Sequence, residues 1–384
     1  MIPAPTSRLP QVGTTIFTVM SALAQECGAL NLSQGFPDFA LPSALTDAVA
    51  HHVRAGHNQY APMAGVVTLR EAIATKVLAS YGAKVDAGNE VTVTSGATEA
   101  LFCAIQAIVQ PGDEVIVFDP CYDSYEPAVT LAGGQVVHVP LAAPAFCPDW
   151  AQVSAVIGPR TRAIILNTPH NPTGSVWSAQ DMQQLQQRVR DTNIFLISDE
   201  VYEHIVFDGC RHESVLRYPE LAARAFVVSS FGKTFHATGW KVGYCIAPSA
   251  LSAEFRKIHQ YVTFSTATPM QFALADFLSA CPQHWQTLPA FYQAKRDRFC
   301  SLLDGSRFSV KPSSGTYFQL LEYSSISHEH DVALASRLTR EAGIASIPVS
   351  VFYRQAPSDL RLLRFCFAKD DATLDAAAAI LQTL

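Results

Sequence analysis

The chain has 384 residues, of which 49% are hydrophobic and 16% are charged, so it is long enough to bury a large core and to form two domains. Its formal net charge of −6 at pH 7 offers no basic surface for DNA, RNA or an anionic membrane, which favours small molecules as partners. The nine cysteines are scattered singly without a Cys-x-x-Cys pair, a pattern typical of free thiols in a reducing cytosol, and they predict a cytoplasmic protein.

The first thirty residues predict an arm followed by a short helix. The apolar run at 16–24 resembles part of a signal peptide, but Thr18 and Ser21 interrupt it and a single basic residue, Arg8, precedes it. An amphipathic N-terminal helix is therefore the favoured interpretation. No apolar run approaches the ~20 residues that a membrane helix needs.

Two polar loops follow, at 31–39 and 58–65. Most loops of this composition are plain connectors, since they are rich in turn-forming residues. In the first loop, Phe36 stands beside Gly35, and the second loop contains Tyr60, so either loop is able to line a pocket.

From residue 91 onward, short apolar runs alternate with longer helix-like segments. This alternation is typical of a parallel sheet wrapped by helices, so the sequence predicts an α/β fold. Seven strands are predicted, at residues 91–95, 114–119, 135–139, 162–167, 194–199, 225–230 and 241–247.

Polar or glycine residues follow five of these strands. Because the carboxyl ends of parallel strands lie at one edge of a sheet, these residues are expected to converge there. The segment Gly96-Ala97-Thr98 opens a helix whose free N–H groups and dipole favour an anion. The other candidate side chains at this edge are Tyr122, Asn167, Asn171, Asp199, Tyr202 and Lys233.

The pattern changes in the last third of the chain. Residues 250–303 are typical of helices and are expected to form a long bridge out of the first domain. Further elements of a smaller α+β domain are then predicted: strands at 308–311, 315–321 and 360–368, a helix at 332–342 and a final helix that ends at Leu384. The predicted parts are an arm that packs with the small domain at 1–45, a large domain at 46–285 and a small C-terminal domain at 286–384.

The segment 229–243 places Lys233 in a tight polar loop directly after a predicted strand. Lys241 follows in the same segment, and the hydroxyl residues Ser229 and Ser230 precede Lys233. A group of this kind suits an anion beside a reactive amine.

A nucleotide P-loop is the tempting alternative for this segment, because Gly232-Lys233-Thr234 matches the end of that motif. The motif also requires a glycine at position 227, where Val227 stands. ATP is therefore excluded, and the ligand must be another group that needs a lysine near a phosphate.

Taken singly, each candidate side chain has an ordinary explanation as a cap, a turn residue, a core aromatic or a solvated charge. One cofactor, pyridoxal 5′-phosphate, explains the whole set, because it pairs a lysine Schiff base with an acidic partner for its pyridine nitrogen. Lys233 would form the imine and later move the proton at Cα, and Asp199 would hold the pyridine nitrogen protonated. Asn171 and Tyr202 would donate hydrogen bonds to the ring's phenolate oxygen, and Tyr122 would stack on the ring face.

The phosphate of this cofactor would lie on the backbone of Gly96, Ala97 and Thr98, where a predicted helix begins. Ser230 and Lys241 would meet it from the opposite loop. A hydroxyl and an ammonium group complete the anion site that the helix dipole begins.

Four motifs together resemble the class I/II pyridoxal-phosphate-dependent aminotransferases of fold type I. They are Ser-Ser-Phe-Gly-Lys-Thr at 229–234, Asn-Pro-Thr-Gly at 171–174, Ser-Asp-Glu-Val-Tyr at 198–202 and Arg-Leu-Leu-Arg-Phe-Cys-Phe-Ala-Lys at 361–369. The resemblance runs nearly end to end and is strongest to the branch of bacterial methionine aminotransferases and kynurenine or glutamine transaminases. It implies a mostly parallel seven-stranded sheet wrapped by helices, a smaller α+β domain and a homodimer.

The resemblance also implies roles for residues that the spacing of the motifs alone does not assign. Arg364 would clamp the substrate α-carboxylate through a bidentate fork. Asn167 would lie beside the cofactor ring, Asn171 would contact both the ring oxygen and the carboxylate, and the backbone of Gly35 would contact the carboxylate. Tyr60 would reach the phosphate in the partner subunit's active site.

Two positions depart from the aspartate-specific branch of that family: Lys241 stands where that branch carries arginine, and Tyr122 where it carries an indole. Neither departure removes a chemical function. We identify no arginine for a second substrate carboxylate, so the sequence predicts a neutral amino donor with a sulfur-bearing or aromatic side chain. The available apolar wall consists of Phe36, Tyr60, Tyr122, Tyr261 and Phe264.

The favoured function is a transaminase that exchanges an L-amino acid and a 2-oxo acid in ping-pong fashion. A C–S β-lyase that acts on cystathionine or cysteine conjugates is the alternative on the same fold, since both reactions begin with removal of the Cα proton. A non-catalytic regulator of the same fold would be marked by loss of Lys233 or Asp199, and both residues are present.

Overall fold

The computed structural model describes residues 5–384, so residues 1–4 of the predicted arm lie outside the described part. The strands are β1 (Leu30–Asn31), β2 (Val91–Thr94), β3 (Glu114–Asp119), β4 (Gln135–Pro140), β5 (Thr161–Asn167), β6 (Phe195–Asp199), β7 (Ala225–Ser230), β8 (Gly243–Ile246), β9 (Ser309–Val310), β10 (Phe318–Glu322), β11 (Ile344–Ala345), β12 (Ile347–Pro348) and β13 (Leu362–Cys366). The helices are α1 (Ile16–Cys27), α2 (Ser43–Arg54), α3 (Val67–Tyr81), α4 (Ala97–Ile108), α5 (Tyr125–Leu131), α6 (Trp150–Val156), α7 (Ala179–Val189), α8 (Pro219–Ala222), α9 (Phe231–Thr234), α10 (Ser249–Val262), α11 (Thr268–Ala280), α12 (Gln283–Leu302), α13 (Asp331–Arg337) and α14 (Asp371–Leu381).

The large sheet has seven strands in the order β2-β8-β7-β6-β5-β3-β4. Strand β8 is antiparallel to both of its neighbours, and the other pairs are parallel. The predicted seven-stranded, mostly parallel sheet is therefore confirmed. Six of the strands share one direction, so the loops that follow β2, β3, β5, β6 and β7 lie at one edge, as predicted.

Apolar residues cover both faces of this sheet, which explains why its strands are near-continuous runs of β-branched and aliphatic residues. On one face, α2, α3, α7 and α11 contribute to a core with buried strand residues such as Val93, Ile164 and Val227. On the other face, α4, α5 and α10 pack on residues such as Val117, Ile165 and Val228. The two layers of helices hold the strands, and hence the loop-bearing edge, in a fixed register.

The predicted start of the last strand at residue 241 is wrong. A 3-10 turn at Thr238–Trp240 leads into Lys241, which has a left-handed backbone with φ of 53°, and β8 begins at Gly243. A Cβ at Gly243 would lie 2.7 Å from the Ser229 carbonyl oxygen and 2.9 Å from the Ala97 backbone nitrogen. Glycine is required there because β8 passes directly against the first residue of α4.

The C-terminal part contains a four-stranded antiparallel sheet with the order β12-β13-β10-β9. The predicted strands are present with shifted ends, and the predicted helix at 332–342 is α13 followed by a π-helical turn at Leu338–Ala342. An unpredicted short sheet pairs β1 with β11, which ties the start of the 31–39 loop to this part of the chain. The domain boundaries at 46 and 286 stay a prediction.

The predicted amphipathic helix near the N-terminus is present as α1, with Met20, Leu23 and Ala24 buried. The predicted helical bridge is formed by α10, α11 and α12, and α12 packs against α14. Within residues 5–384 no helix has the length and apolar character needed to cross a membrane. All nine cysteines are free thiols.

Candidate active site

A cavity of about 150 Å³ lies at the edge of the large sheet where the parallel strands end. Most of the residues that were predicted to converge do line this one cavity. They are Gly96, Ala97, Thr98, Tyr122, Asn167, Asn171, Asp199, Tyr202, Ser230, Lys233 and Lys241. Leu101, Val201 and Thr238 complete the wall and were not predicted.

Lys233 lies in α9, the single helical turn directly after β7. Its Nζ donates to the Tyr317 hydroxyl at 2.9 Å and to the Gly35 carbonyl oxygen at 3.2 Å. Burial lowers the pKa of Lys233 to about 8, and the positive charges of Lys241 and Arg364 act in the same direction. About a tenth of the molecules therefore carry the neutral amine at pH 7, which is the form that acts as a nucleophile or base, whereas an ordinary lysine has far less.

Asp199 is the last residue of β6 and is buried. Its Oδ2 accepts a hydrogen bond from the Tyr125 hydroxyl at 2.7 Å, and its Oδ1 accepts one from the Val201 backbone at 3.3 Å. Burial raises the pKa of Asp199 to about 6, while these two hydrogen bonds oppose the rise. Asp199 is therefore mostly ionised at neutral pH. Because the carboxylate is buried, a ligand group that is positively charged or donates a hydrogen bond would be bound favourably beside it.

Two asparagines join the parts of the site: Asn167, the last residue of β5, and Asn171, in the loop that follows. The Asn167 side-chain amide donates to the Asp199 carbonyl oxygen at 2.9 Å, and its Oδ1 accepts from the Asn171 backbone at 2.8 Å. The Asn171 Oδ1 accepts from a terminal nitrogen of Arg364 at 2.7 Å. The loop therefore connects the carboxylate at the end of β6 with the arginine on β13.

Arg364 lies on β13 and is only 1% exposed. Its second terminal nitrogen donates to the Ser33 carbonyl oxygen at 3.0 Å, and its guanidinium lies 3.9 Å from the centre of the Phe318 ring. Burial lowers the pKa of Arg364 to about 10, so it stays charged at neutral pH. Within residues 5–384 its Nε has no hydrogen-bond partner. A buried cation with an unused donor is a site for an anionic ligand group.

The residues predicted to hold a phosphate lie together at one end of the cavity, where the backbone before and at the start of α4 forms a cradle. Gly96, with φ of 79°, directly precedes α4, and a Cβ there would lie 3.2 Å from Lys241 Nζ. Ser230 caps α9 through its hydroxyl, which accepts from the Gly232 backbone at 3.2 Å. An ammonium group thus lies beside the free N–H groups of a helix N-terminus, an arrangement that favours an anion.

One part of the expected anion cluster is wrong. The hydroxyl of Ser229 points away from the cavity and donates to Glu203, because successive side chains of a strand face opposite sides. The Glu203 carboxylate is buried. Its Oε1 lies 2.6 Å from Lys76 Nζ and accepts a hydrogen bond from the Tyr244 hydroxyl at 2.8 Å. Ser229 therefore belongs to a buried polar network behind the sheet edge, and Ser230 alone faces the cavity.

The two cavity tyrosines remain protonated at neutral pH. Tyr202 is buried, and burial raises its pKa above the usual range. Burial also raises the pKa of Tyr122, and the neighbouring charge of Asp123 adds to the rise. Both hydroxyls are therefore available as hydrogen-bond donors.

Four predicted site residues are not among those that line the cavity of a single chain: Gly35, Phe36, Tyr60 and Arg364. Phe36 is 43% exposed, and the Lys369 ammonium lies 4.6 Å from the centre of its ring. Tyr60 is 82% exposed and packs edge-on against Phe264, with ring centres 5.3 Å apart. Gly35 contacts the site through its carbonyl oxygen, which accepts from Lys233.

Several residues that contact the site were not found from the sequence. Tyr125 is the first residue of α5 and follows Tyr122 closely in the chain. That spacing could have suggested that a second phenol lies near the site. Tyr317 stands in the Gly-Thr-Tyr-Phe segment at the start of a predicted strand, which gave no sign that its hydroxyl reaches Lys233. The carbonyl of Ser33 carries no sequence signal, because any residue provides one.

An α/β sheet whose edge holds a lysine and an aspartate, together with a buried arginine from β13 of the second sheet, defines a class of enzyme. A family model described as aminotransferase class I and II matches residues 28–381. The chain therefore belongs to the class I and II aminotransferase family, and the resemblance found from its motifs is confirmed. It is an aminotransferase of fold type I.

Individual relatives span the chain from end to end. A methionine aminotransferase from Escherichia coli (strain K12) is 56% identical over 99% of this chain and 98% of its own length. Kynurenine–oxoglutarate transaminase 3 from Rattus norvegicus is 33% identical over 98% of this chain and 89% of its own length. A crystal structure of YbdL from Escherichia coli, whose reactivity identified a methionine aminotransferase function, superposes with a TM-score of 0.97 at 55% identity and covers 100% of both chains.

Proposed function

We propose that this aminotransferase uses pyridoxal 5′-phosphate to move the amino group of a neutral L-amino acid, methionine or an aromatic one, to a 2-oxo acid. The observation that carries the proposal is the buried Arg364, whose guanidinium has an unused donor and is hydrogen-bonded to the asparagine loop of the lysine cavity. A substrate carboxylate held there would place its amino group toward Lys233.

The residues present fit the cofactor at each of its three ends. Lys233 offers an amine of lowered pKa for the aldehyde, and Asp199 offers a buried carboxylate for the ring nitrogen. The cradle at Gly96, where a Cβ would lie 3.2 Å from Lys241 Nζ, leaves room for a phosphate against backbone N–H groups. Tyr122 and Tyr202 provide the ring contacts, and Asn167 and Asn171 complete them.

Bound pyridoxal 5′-phosphate would supply an aldehyde that carries the amino group and a ring that accepts electrons when the Cα proton leaves. Lys233, as a neutral amine, would accept the proton from the substrate Cα and deliver it to the aldehyde carbon of the cofactor. Arg364 and Asn171 hold the substrate carboxylate, which fixes the orientation of the Cα–H bond. Asp199 stays ionised and stabilises positive charge at the ring nitrogen, and Tyr202 donates to the ring oxygen.

The preference for a neutral side chain is supported by the relatives, which include a methionine aminotransferase and a kynurenine–oxoglutarate transaminase. It is also supported by the walls of the cavity, where Tyr122, Tyr202 and Leu101 provide aromatic and aliphatic surface. The positively charged groups near the cavity, Lys233, Lys241 and Arg364, are already assigned to the cofactor and to the first carboxylate.

A homodimer is supported by exposed aromatic residues on one stretch of surface. Tyr60 is 82% exposed and Tyr261 is 86% exposed, and Phe264 packs against Tyr60. Exposed aromatic groups of this size are typical of interfaces. Tyr60 would then reach the partner subunit's phosphate, and Phe36 would form part of the substrate entrance. The domain boundaries given above and a cytoplasmic location, supported by nine free thiols, belong to the same proposal.

The proposed function is tested with L-methionine and the purified protein. We expect the visible absorption of the bound cofactor to change on addition of L-methionine and to return on addition of a 2-oxo acid. L-Phenylalanine should act similarly, and L-aspartate should react at least about tenfold more slowly, because its second carboxylate would be buried without a partner. Equal rates for aspartate and methionine would contradict the proposed specificity.

The same purified protein distinguishes the aminotransferase from the β-lyase alternative. A cysteine conjugate should undergo amino exchange rather than release pyruvate and a thiol, because Lys233 would deliver the Cα proton to the aldehyde carbon of the cofactor before the thiolate leaves. Release of thiol that outpaces the exchange would favour the lyase. Absence of any visible absorption after incubation with pyridoxal 5′-phosphate would contradict the cofactor.

Changing Tyr125 to Phe should raise the pH below which activity is lost. The Tyr125 hydroxyl donates to Asp199 and so lowers the pKa of that carboxyl, and its loss raises the pKa further. The ionised carboxylate is then lost at a higher pH as the solution is acidified. We expect the acid limb of kcat/KM to move upward by about one pH unit. Tyr218→Phe, which removes a phenol-to-carboxylate bond to Glu213 outside the cavity, is the control and should leave the limb in place.

A further inference from the structure

A buried histidine on α10 connects two segments that the proposed function assigns to the cofactor phosphate. His259 is 0% exposed. Its Nδ1 lies 2.8 Å from Glu99 Oε1, and its Nε2 lies 3.0 Å from the Met63 carbonyl oxygen. Both partners are hydrogen-bond acceptors, a carboxylate and a carbonyl oxygen, so the two ring nitrogens are placed to donate to them.

The first connection leads to the phosphate cradle. Glu99 lies in the first turn of α4, and its Oε2 accepts from the Ser95 backbone at 2.9 Å. Its Oε1 accepts from the Cys103 thiol at 2.9 Å as well as from His259. Glu99 thus holds the backbone directly before Gly96, at the point where the chain turns into the helix.

The second connection leads to the loop that carries Tyr60. Met63 lies in this loop, whose backbone is tied down to the segment around α10 and α11 by polar side chains. The additional bonds are Thr268 Oγ1 to the Gln59 carbonyl at 2.6 Å, Ser265 Oγ to the Ala61 carbonyl at 3.0 Å and the Val66 backbone to Gln271 Oε1 at 2.8 Å. His259 binds this loop through the Met63 carbonyl and also contacts α4 through Glu99.

We propose that His259 is a positioning residue for the phosphate: through Glu99 it fixes the N-terminus of α4 in its own subunit, and through Met63 it fixes the loop that delivers Tyr60 to the partner subunit. This inference rests on the proposed function, which places a phosphate at Gly96–Thr98. A buried polar ring is costly unless its nitrogens are paired, and here one bond supports the phosphate site of its own subunit and the other supports that of the partner subunit.

Three substitutions separate the two arms. Asn places its amide nitrogen near the position of Nδ1, so His259→Asn keeps the donor to Glu99 and loses the donor to Met63. Gln places its amide nitrogen near Nε2, so His259→Gln keeps the donor to Met63 and loses the one to Glu99. His259→Phe removes both donors and keeps most of the volume.

The measurement is the affinity of the full-length protein, stripped of cofactor, for pyridoxal 5′-phosphate and for pyridoxal, which lacks the phosphate. Quenching of tryptophan fluorescence reports both. We expect His259→Phe and His259→Gln to bind pyridoxal 5′-phosphate about tenfold more weakly, with pyridoxal changed by less than about twofold. His259→Asn should weaken pyridoxal 5′-phosphate by a smaller factor, about threefold, and should accelerate amide hydrogen exchange in residues 59–66.

The matched control is His212→Asn, which loses the donor at Nε2. His212 is also buried and also contacts a glutamate, with Nε2 2.8 Å from Glu200, but it makes no hydrogen bond to α4 or to the Tyr60 loop. It should lose stability without changing the ratio of the two affinities. If the His259 variants weaken both ligands equally, or neither, the positioning role is wrong. If the unaltered protein binds pyridoxal 5′-phosphate no better than pyridoxal, the phosphate site itself, and with it the proposed function, is contradicted.

Discussion

Replacing Lys233 with Ala should abolish amino transfer, with a fall of about 10⁴-fold or more in the rate of the half-reaction with L-methionine. The amine is the group in the cavity whose pKa of about 8 leaves it neutral in part of the population at neutral pH. Its removal eliminates both the covalent attachment of the cofactor and the base that accepts the Cα proton. The half-reaction is followed by the visible absorption of the bound cofactor.

A second readout does not depend on turnover. Borohydride reduction of the loaded protein should fix the cofactor to a single peptide that contains Lys233, which mass spectrometry of a digest identifies. Lys257→Ala, at a side chain that is 68% exposed, is the matched control and should leave both the labelling and the rate unchanged. Labelling of another lysine in the unaltered protein, or activity in Lys233→Ala within tenfold of the original, would show that the assignment is wrong.

The fold was largely predictable because its large sheet is made of short apolar runs that end in polar or glycine residues. Strand β7 is an example, since five of its six residues are buried and α9, which contains Lys233, follows directly. The N-terminus of α4 was predictable for a similar reason, as Gly96 and Thr98 mark the turn from strand to helix. Patterns of this kind are local, and a single sequence shows them.

Features set by tertiary contacts could not be predicted. The left-handed backbone of Lys241 delays the start of β8 by two positions, and a lysine gives no local signal for that conformation. Strands β1 and β11 have two residues each, too few for a periodic pattern. The antiparallel direction of β8 depends on the path of the loop before it rather than on its composition.

The candidate site divides in the same way. Residues in motifs, such as Asp199 and Asn171, were found because their neighbours in the chain are distinctive. Tyr125 and Tyr317 were missed because each is an ordinary aromatic in its own segment and gains its significance from a hydroxyl that reaches a distant charge. Ser229 was misplaced because the alternation along β7 turns its side chain to the opposite side from that of Ser230.

Changing Arg364 to Lys should lower kcat/KM for L-methionine by about 10²-fold, mostly through KM. The guanidinium uses its terminal nitrogens for Asn171 and Ser33 and retains Nε without a partner, so its fork offers geometry that a single ammonium cannot reproduce. Visible absorption of the bound cofactor should be unchanged, since no ring contact is removed. Arg298→Lys, on the surface beside Asp375, is the matched control and should retain full activity.

The role of Arg364 in holding a carboxylate is isolated by a substrate that lacks one. The amine obtained by removing the carboxyl group of methionine should react slowly with the unaltered protein, and Arg364→Lys should not slow it further. The two changes are then not additive, because each removes the same interaction. If Arg364→Lys slowed methionine and this amine by the same factor, the arginine would act by supporting the loop at Asn171, and the carboxylate would have to bind elsewhere.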